Sequence, residues 1–319
     1  MLIPARLDLT VRTVRQEADD VISLELAHPD REPLPAWQPG AHIDIHLPSG
    51  LIRQYSLHGD PGDAYAYRIA VLRVAGGRGG SAELHRLATP GAPLVAGRPR
   101  NNFALEPAGH YLFVAGGIGV TPLLAMARQV AVQGQSWSFL YGGRTRSSMA
   151  FVEEIESLPG GAVHLVPQDE AGLPDLAAAF SGLPADAAVY CCGPNPMIEA
   201  VRSAGSAVRP GIPVRLEHFG AVVTGRSARP ETSFEVTLAK TRATVSVPAG
   251  TSILDAVRTV CPDVMSSCEE GICSACETEV LEGVPDHRDS VLTPAERATN
   301  QYMMICVSRA LSAHLVLDL

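Results

Sequence analysis

The sequence predicts a multidomain chain of α+β and α/β class: a small antiparallel β-barrel, then a parallel α/β domain, then a small C-terminal domain built around cysteines. Three observations predict it. Residues 1–105 carry short alternating apolar runs broken by Pro and Gly. Residues 110–220 change rhythm, with buried-type apolar runs separated by helical patterns. Near the C-terminus Cys268, Cys273, Cys276 and Cys306 stand in the spacing C-x4-C-x2-C-x29-C.

In the first region Ala41, Ile43, Ile45 and Leu47 alternate onto one face of a strand, and residues 21–26 and 67–72 behave alike. In the second, strands are expected at 111–115, 137–141, 163–166 and 188–192. Helices are expected at 122–132, 150–158, 173–180 and 196–204. Residues 221–232, with Gly, Ser and Pro, read as a linker. Beyond it residues 234–239 and 244–247 suit a hairpin, and Ser252 suits a helix N-cap with Asp255 at the box position. The expected boundaries are 1–107, 108–222, a linker at 223–232, and 233–319.

Composition narrows the function classes. With 46% hydrophobic and 18% charged residues the chain can bury ordinary cores. A net charge of −9 argues against nucleic acid. Residues 233–319 hold 12 Asp/Glu against 6 Lys/Arg, two-thirds of the net negative charge. That asymmetry serves either solubility or an acidic docking face for a basic redox partner. The first residues are not a signal run, and no stretch of about 20 apolar residues occurs. A soluble, cytoplasmic protein with no membrane segment is expected, with Cys191, Cys192 and Cys261 as free thiols.

The four-cysteine spacing is the plant-type [2Fe–2S] ligand pattern. Three thiolates would come from one tight loop, where Gly271 suits a φ > 0 turn, and the fourth from the apolar run 303–307, which suits a buried strand. A structural zinc site or disulfides are the alternatives, but zinc sites favour two matched C-x2-C halves and one is present.

Gly116-Gly117-Ile118-Gly119-Val120-Thr121-Pro122 joins an expected strand to an expected helix. The glycines let backbone approach a pyrophosphate, Thr121 suits the N-cap, and Pro122 suits the first helical position. A plain strand-to-helix turn is the alternative. Tyr141-Gly142-Gly143-Arg144 ends the second strand, and Cys191-Cys192-Gly193-Pro194 ends the last. Ligands bind outside such carboxyl ends, so the three loops should share one Rossmann-like edge. Cys192 is then a polarizable group near a nicotinamide, or else an inert buried thiol. No acidic residue follows the second strand directly. Arg144 and Arg146 follow it instead, which leaves room for NADPH beside NADH. In the barrel region, Arg53-Gln54-Tyr55-Ser56 could line a flavin. Gly79-Gly80-Ser81 closes a Gly-rich segment that either wraps a phosphate or is a surface loop.

Taken in order, these motifs resemble the phthalate dioxygenase reductase family, which includes vanillate O-demethylase reductases. The resemblance covers almost the whole chain. It implies an FMN-binding β-barrel, a Rossmann-like NAD-binding domain and a β-grasp plant-type ferredoxin domain. It places Arg53, Tyr55, Ser56, Gly79, Gly80 and Ser81 at FMN. It places Gly116, Gly117, Gly119, Thr121, Arg144, Cys192, Gly193 and Pro194 at NADH. Phe219 would lie against the flavin, with core packing as its alternative, and Glu217 near the nicotinamide amide. Ser56, Cys192, Glu217 and Phe219 then surround the hydride transfer. The implied activity is passage of electrons from NADH through FMN and the cluster to a terminal Rieske-type oxygenase, by a monomer. A free-standing NADH:acceptor reductase acting on quinones or metals is the alternative. A non-catalytic redox sensor is a third, and it would predict a damaged flavin or nicotinamide motif.

Overall fold

The computed structural model describes residues 6–220 and 231–319, and the chain divides into two compact units, residues 1–219 and 220–319. The expected linker, 223–232, lies outside the described residues except for its last two. Among the described residues no helix is long and apolar enough to cross a membrane.

The first unit begins with β1 (Arg6–Ala18), β2 (Val21–Ala27), β3 (Ala41–His46), β4 (Ile52–Ser56), β5 (Tyr67–Leu72), α1 (Gly80–Leu87), β6 (Pro93–Gly97) and β7 (Arg100–Asn101). The strands follow the order β4-β3-β6-β1-β2-β5, with β7 paired to β3, and every pairing is antiparallel. A single bridge from Leu57, just past β4, to Ile69 of β5 brings the two ends of the sheet together as a barrel. Leu9, Leu24, Ile43, Ile45 and Ile69 fill it. The Gly-rich segment read as a loop continues into α1, because Gly79 at φ +91° turns the chain directly into a helical register.

The unit continues with β8 (His110–Gly116), α2 (Val120–Val132), β9 (Ser136–Gly143), α3 (Val152–Glu156), β10 (Gly161–Pro167), α4 (Gln168–Ala171), α5 (Leu176–Ser181), β11 (Ala187–Cys192), α6 (Asn195–Val208) and β12 (Val214–Glu217). The sheet is parallel throughout, in the order β10-β9-β8-β11-β12. The order reverses between β8 and β11, which makes their carboxyl ends the topological switch point. β12 carries only four residues with two charges, so no apolar run announced it. One core joins Val21, Ala70 and Phe103 of the barrel region to α2, β8 and β9, so barrel and parallel sheet share buried side chains. Glu154 reinforces that seam, accepting from Arg68 of β5 at 3.3 Å and from Arg128 of α2 at 2.8 Å.

The second unit contains β13 (Phe234–Leu238), β14 (Thr244–Val247), α7 (Ile253–Arg258), β15 (Glu277–Glu282), β16 (Pro285–Asp286), α8 (Pro294–Thr299), β17 (Tyr302–Met304), β18 (Arg309–Ala310) and β19 (His314–Leu317). Its sheet runs β14-β13-β19-β15-β17, and the parallel neighbours β13 and β19 bring the first and last segments together, as in a β-grasp. Ser252 caps α7 as expected, its hydroxyl accepting from Asp255 N at 3.0 Å. α7 contributes Ile253, Leu254, Ala256 and Val257 to the unit's own core.

Candidate functional site

The nucleotide edge is assembled by close backbone contact. A Cβ at Gly119 would lie 2.2 Å from Cys192 O, and one at Gly116 would lie 2.6 Å from Pro194 Cδ and 2.8 Å from Met197 Sδ. Gly193 packs on Gly116 in the same way, with its Cβ position 3.0 Å from Gly116 Cα. The two glycine motifs are therefore one structure: each needs the other's missing side chains. Tyr141 Oη anchors the turn by donating to Gly117 O at 3.2 Å.

Gly119→Ala is expected to cost about 3–5 kcal/mol, because the obstacle is a carbonyl oxygen that cannot rotate away. Thermal unfolding measures this, and an unchanged midpoint would mean that the two loops can separate freely.

The expected cap at this turn is corrected. Residues Gly117–Gly119 form a 3-10 turn and α2 starts at Val120, so Gly119 occupies the N-cap position and Pro122 the third helical one. Thr121 is buried and its hydroxyl donates to Ile118 O at 3.0 Å. The extra 3-10 turn consumed the residues that the cap rule had counted as loop.

Arg144 follows β9 and is exposed. The sequence reading missed what α4 brings beside this stretch: Asp169 N donates to Arg144 O at 3.3 Å, and Glu170 lies 3.6 Å from Arg146. Local sequence holds no signal for this, since the acidic residues arrive on α4, the short helix that follows the adjacent strand β10.

Cys192 and Glu217 end β11 and β12 as register partners. The thiol and the carboxyl share a hydrogen bond, and burial pushes the Glu217 carboxyl up to about 8. Glu217 retains some exposed surface, but its Oε2 is buried without a partner. Burial, then the Glu217 carboxyl, pushes the Cys192 thiol far above its ordinary value. Cys191 points into the opposite core and is pushed up to about 12 by burial alone. Phe219, just beyond β12, is 39% exposed, which removes core packing as its explanation.

In the barrel, Arg53 lies over the start of α1, since a Cβ at Gly80 would meet its Nε at 2.6 Å. A guanidinium thus stands beside a helix N-terminus opened by Gly79, a natural cradle for a phosphate. Ser81 Oγ accepts from Val74 N at 3.1 Å and closes the Gly-rich loop. Burial holds the Tyr55 phenol neutral, and Ser56 is buried opposite His42 on β3. His42 Nε2 is buried without a partner, and burial lowers its ring to about 4.

In the second unit the four cysteines converge. All are buried, between 3% and 8% exposed. Cys268 donates to Cys273, and Cys306 donates to Cys276. Those bonds lower the Cys273 and Cys276 thiols and raise their donors. Backbone N–H groups also point inward: Glu270 N donates to Cys268 Sγ at 3.3 Å, and Gly271 N–H reaches Cys306. Glu269, Gly271 and Ser274 all take positive φ, which turns successive N–H groups toward the sulfurs, and Gly271 does so at φ +69° as expected. Among the described residues no three His, Cys, Asp or Glu side chains surround a single metal ion. Four convergent buried thiols in one nest, in the plant-type spacing, supply the four ligands that two irons share. The strand expected to deliver Cys306 stops at Met304, and Cys306 lies in the turn beyond it.

Comparison with known proteins agrees with this geometry. The family profile described as an oxidoreductase NAD-binding domain matches residues 113–203, and that described as a 2Fe-2S iron-sulfur cluster binding domain matches residues 236–311. Phenoxybenzoate dioxygenase subunit beta of Ectopseudomonas oleovorans is 43% identical over 318 residues, covering 99% of this chain and 98% of that one. Tetrachlorobenzoquinone reductase of Sphingobium chlorophenolicum is 38% identical over 320 residues, covering 98% of each. Among solved structures, phthalate dioxygenase reductase, described as a modular structure for electron transfer from pyridine nucleotides to [2Fe–2S], superposes with a TM-score of 0.74 at 37% identity, covering 98% of both chains.

Proposed function

The chain belongs to the phthalate dioxygenase reductase family, and from that premise we propose that it is an NADH-dependent iron–sulfur flavoprotein reductase that passes electrons singly, through FMN and a [2Fe–2S] cluster, to a terminal Rieske-type oxygenase. The observation that carries the proposal is the convergence of Cys268, Cys273, Cys276 and Cys306 in a buried nest, on a chain whose nicotinamide-type loops meet at a switch point. FMN supplies the exchange between a two-electron hydride and single electrons, and the cluster carries one electron at a time.

The protein's own work is holding and shielding. Arg53, Gly79, Gly80 and Ser81 would hold the FMN phosphate, with Tyr55 and Ser56 along the ring. Gly116, Gly117, Gly119, Thr121, Gly193 and Pro194 would hold NADH, with Arg144 on the adenosine side. Glu217, neutral below about pH 8, can donate to the nicotinamide amide while Cys192 fixes its orientation. Each NADH gives two electrons to two one-electron acceptors and releases one proton. The expected boundaries at 107 and 222 then separate three cofactor roles along the chain. The acidic balance of residues 233–319 supports docking of a basic oxygenase face, with the reductase acting as a monomer in a reducing cytoplasm.

Anaerobic titration with NADH tests this reading. Bleaching of flavin and cluster bands together at about 1.5 NADH per protein, the equivalent of three electrons, is the expected result. Flavin bleaching over an unchanged cluster would sink it. The likeness to a tetrachlorobenzoquinone reductase favours a second reading, a free-standing quinone reductase. Steady-state quinone reduction at full rate with no partner protein would select it. Arg144→Asp is expected to weaken NADPH binding more than NADH binding, and equal losses would show that Arg144 does not read the ribose.

A further inference from the structure

Asp289 lies outside every motif discussed so far, yet it is the only acidic residue among the fully buried polar groups of the second unit that the described residues include. Its Oδ2 accepts from Val291 N at 3.1 Å and from Leu292 N at 2.8 Å. Its Oδ1 accepts from Ser308 Oγ at 3.4 Å. Ser308 is itself fully buried, two residues past Cys306, and its hydroxyl also accepts from Arg288 N at 3.1 Å. Arg297 of α8 donates to Asp289 O and stands 3.8 Å from Oδ2, while His287 Nδ1 is 3.9 Å from Oδ1.

The same residue backs the cysteine loop. Ser290 N donates to Gly271 O at 2.8 Å, and a Cβ at Gly271 would lie 3.1 Å from Asp289 Cα and 2.5 Å from Val307 Cγ2. The Gly271 N–H, on the other side of that residue, reaches Cys306. Asp289 thus stands where the loop bearing three cysteines, the turn bearing the fourth, and α8 all meet. A buried carboxylate that satisfies two backbone N–H groups and a hydroxyl fixes three chain segments at once, because losing it would leave those donors unpaired away from water.

We propose that Asp289 is the positioning residue that holds the Cys306 turn in register with the Cys268–Cys276 loop, so that the two thiol pairs form one four-thiolate nest. The inference rests on the [2Fe–2S] reading above. It acts through Gly271 and Ser308 and involves no contact of the carboxylate with a sulfur.

The test uses the full-length, as-purified protein and three variants, Asp289→Ala, Asp289→Asn and Ser308→Ala. Iron and sulfide content, the EPR g-values after dithionite reduction, and the rate of cluster bleaching by an iron chelator are measured. Asp289→Ala should bleach at least about tenfold faster, the scale of a single unsatisfied buried group where three donors lose their acceptor, with shifted g-values in the remaining cluster. Asp289→Asn should restore both, since an amide oxygen can accept from Val291 and Leu292 while its NH2 donates to Ser308 Oγ. Ser308→Ala should keep its iron but shift the g-values, because it cuts only the arm toward Cys306; it decides the matter if Asp289→Ala does not fold. Wild-type g-values and bleaching rates in both Ser308→Ala and Asp289→Ala would overturn the proposal. So would Asp289→Asn failing as badly as Asp289→Ala, which would assign the effect to charge. A wild-type protein with no [2Fe–2S] signal would overturn the cluster reading itself, a separate outcome from either.

Discussion

Cys306→Ser is expected to abolish cluster-dependent electron transfer, by at least ~100-fold, while NADH-to-ferricyanide activity through the flavin stays within about twofold. Cys306 supplies the fourth sulfur, it is buried against Cys276, and Gly271 N–H is aimed at it. A serine oxygen is a harder ligand on a shorter bond, so it reaches the iron poorly from the same backbone position. The flavin route should survive because each unit is built on its own cores: Phe234, Val236, Ile253 and Leu317 belong to one that contains no residue of the first unit. Stopped-flow flavin reduction and steady-state ferricyanide assays measure the two halves separately. Loss of flavin reduction along with the cluster would contradict the modular wiring.

The second large effect is on stability against pH. Glu217 is held at about 8 in the folded protein against an ordinary 4.5, chiefly by burial. Below 4.5 both folded and unfolded chains carry the proton, and the contribution is fully present. As pH rises, the unfolded chain ionises first while the folded one keeps its proton, so stability falls. Above about 8 the contribution is gone. The total is on the order of 3–5 kcal/mol. Glu217→Gln removes the titrating group and should flatten this part of the profile, leaving the variant more stable than wild type above pH 8. Denaturant titrations followed by flavin release across that range measure it. Parallel profiles for the two proteins would show that this carboxyl does not control the slope. In the proposed reading the same variant keeps a hydrogen-bond donor for the nicotinamide amide, so a loss of hydride-transfer rate would have to come from orientation alone.

Much of the fold was legible because its signals are local. The alternation of Ala41, Ile43 and Ile45 marks β3, and the apolar run ending at Cys192 marks β11. What escaped has a common cause. α1 hides behind a glycine run, because the φ of Gly79 is a backbone state that sequence does not distinguish from a loose loop. The four residues of β12 qualify as a strand only because β11 lies beside them. The start of α2 moved by two residues when Gly117–Gly119 took a 3-10 turn.

The candidate sites divide along the same line. The expectation of a four-thiolate iron site was carried by the cysteine spacing alone, since iron demands four thiolates and tolerates few arrangements of the loop that offers three of them. The glycines of both nucleotide loops were also visible, but not their reason: Gly119 must be bare because Cys192 O occupies the place of its side chain. The Cys192–Glu217 pair, the placing of Asp169 and Glu170 of α4 beside Arg144 and Arg146, and the clasp around Asp289 depend on which segments become neighbours. Residue type and spacing along one segment determined which chemistry this chain can hold. Only the tertiary structure decided which groups are desolvated together, because burial and contact are properties of segments brought from far apart.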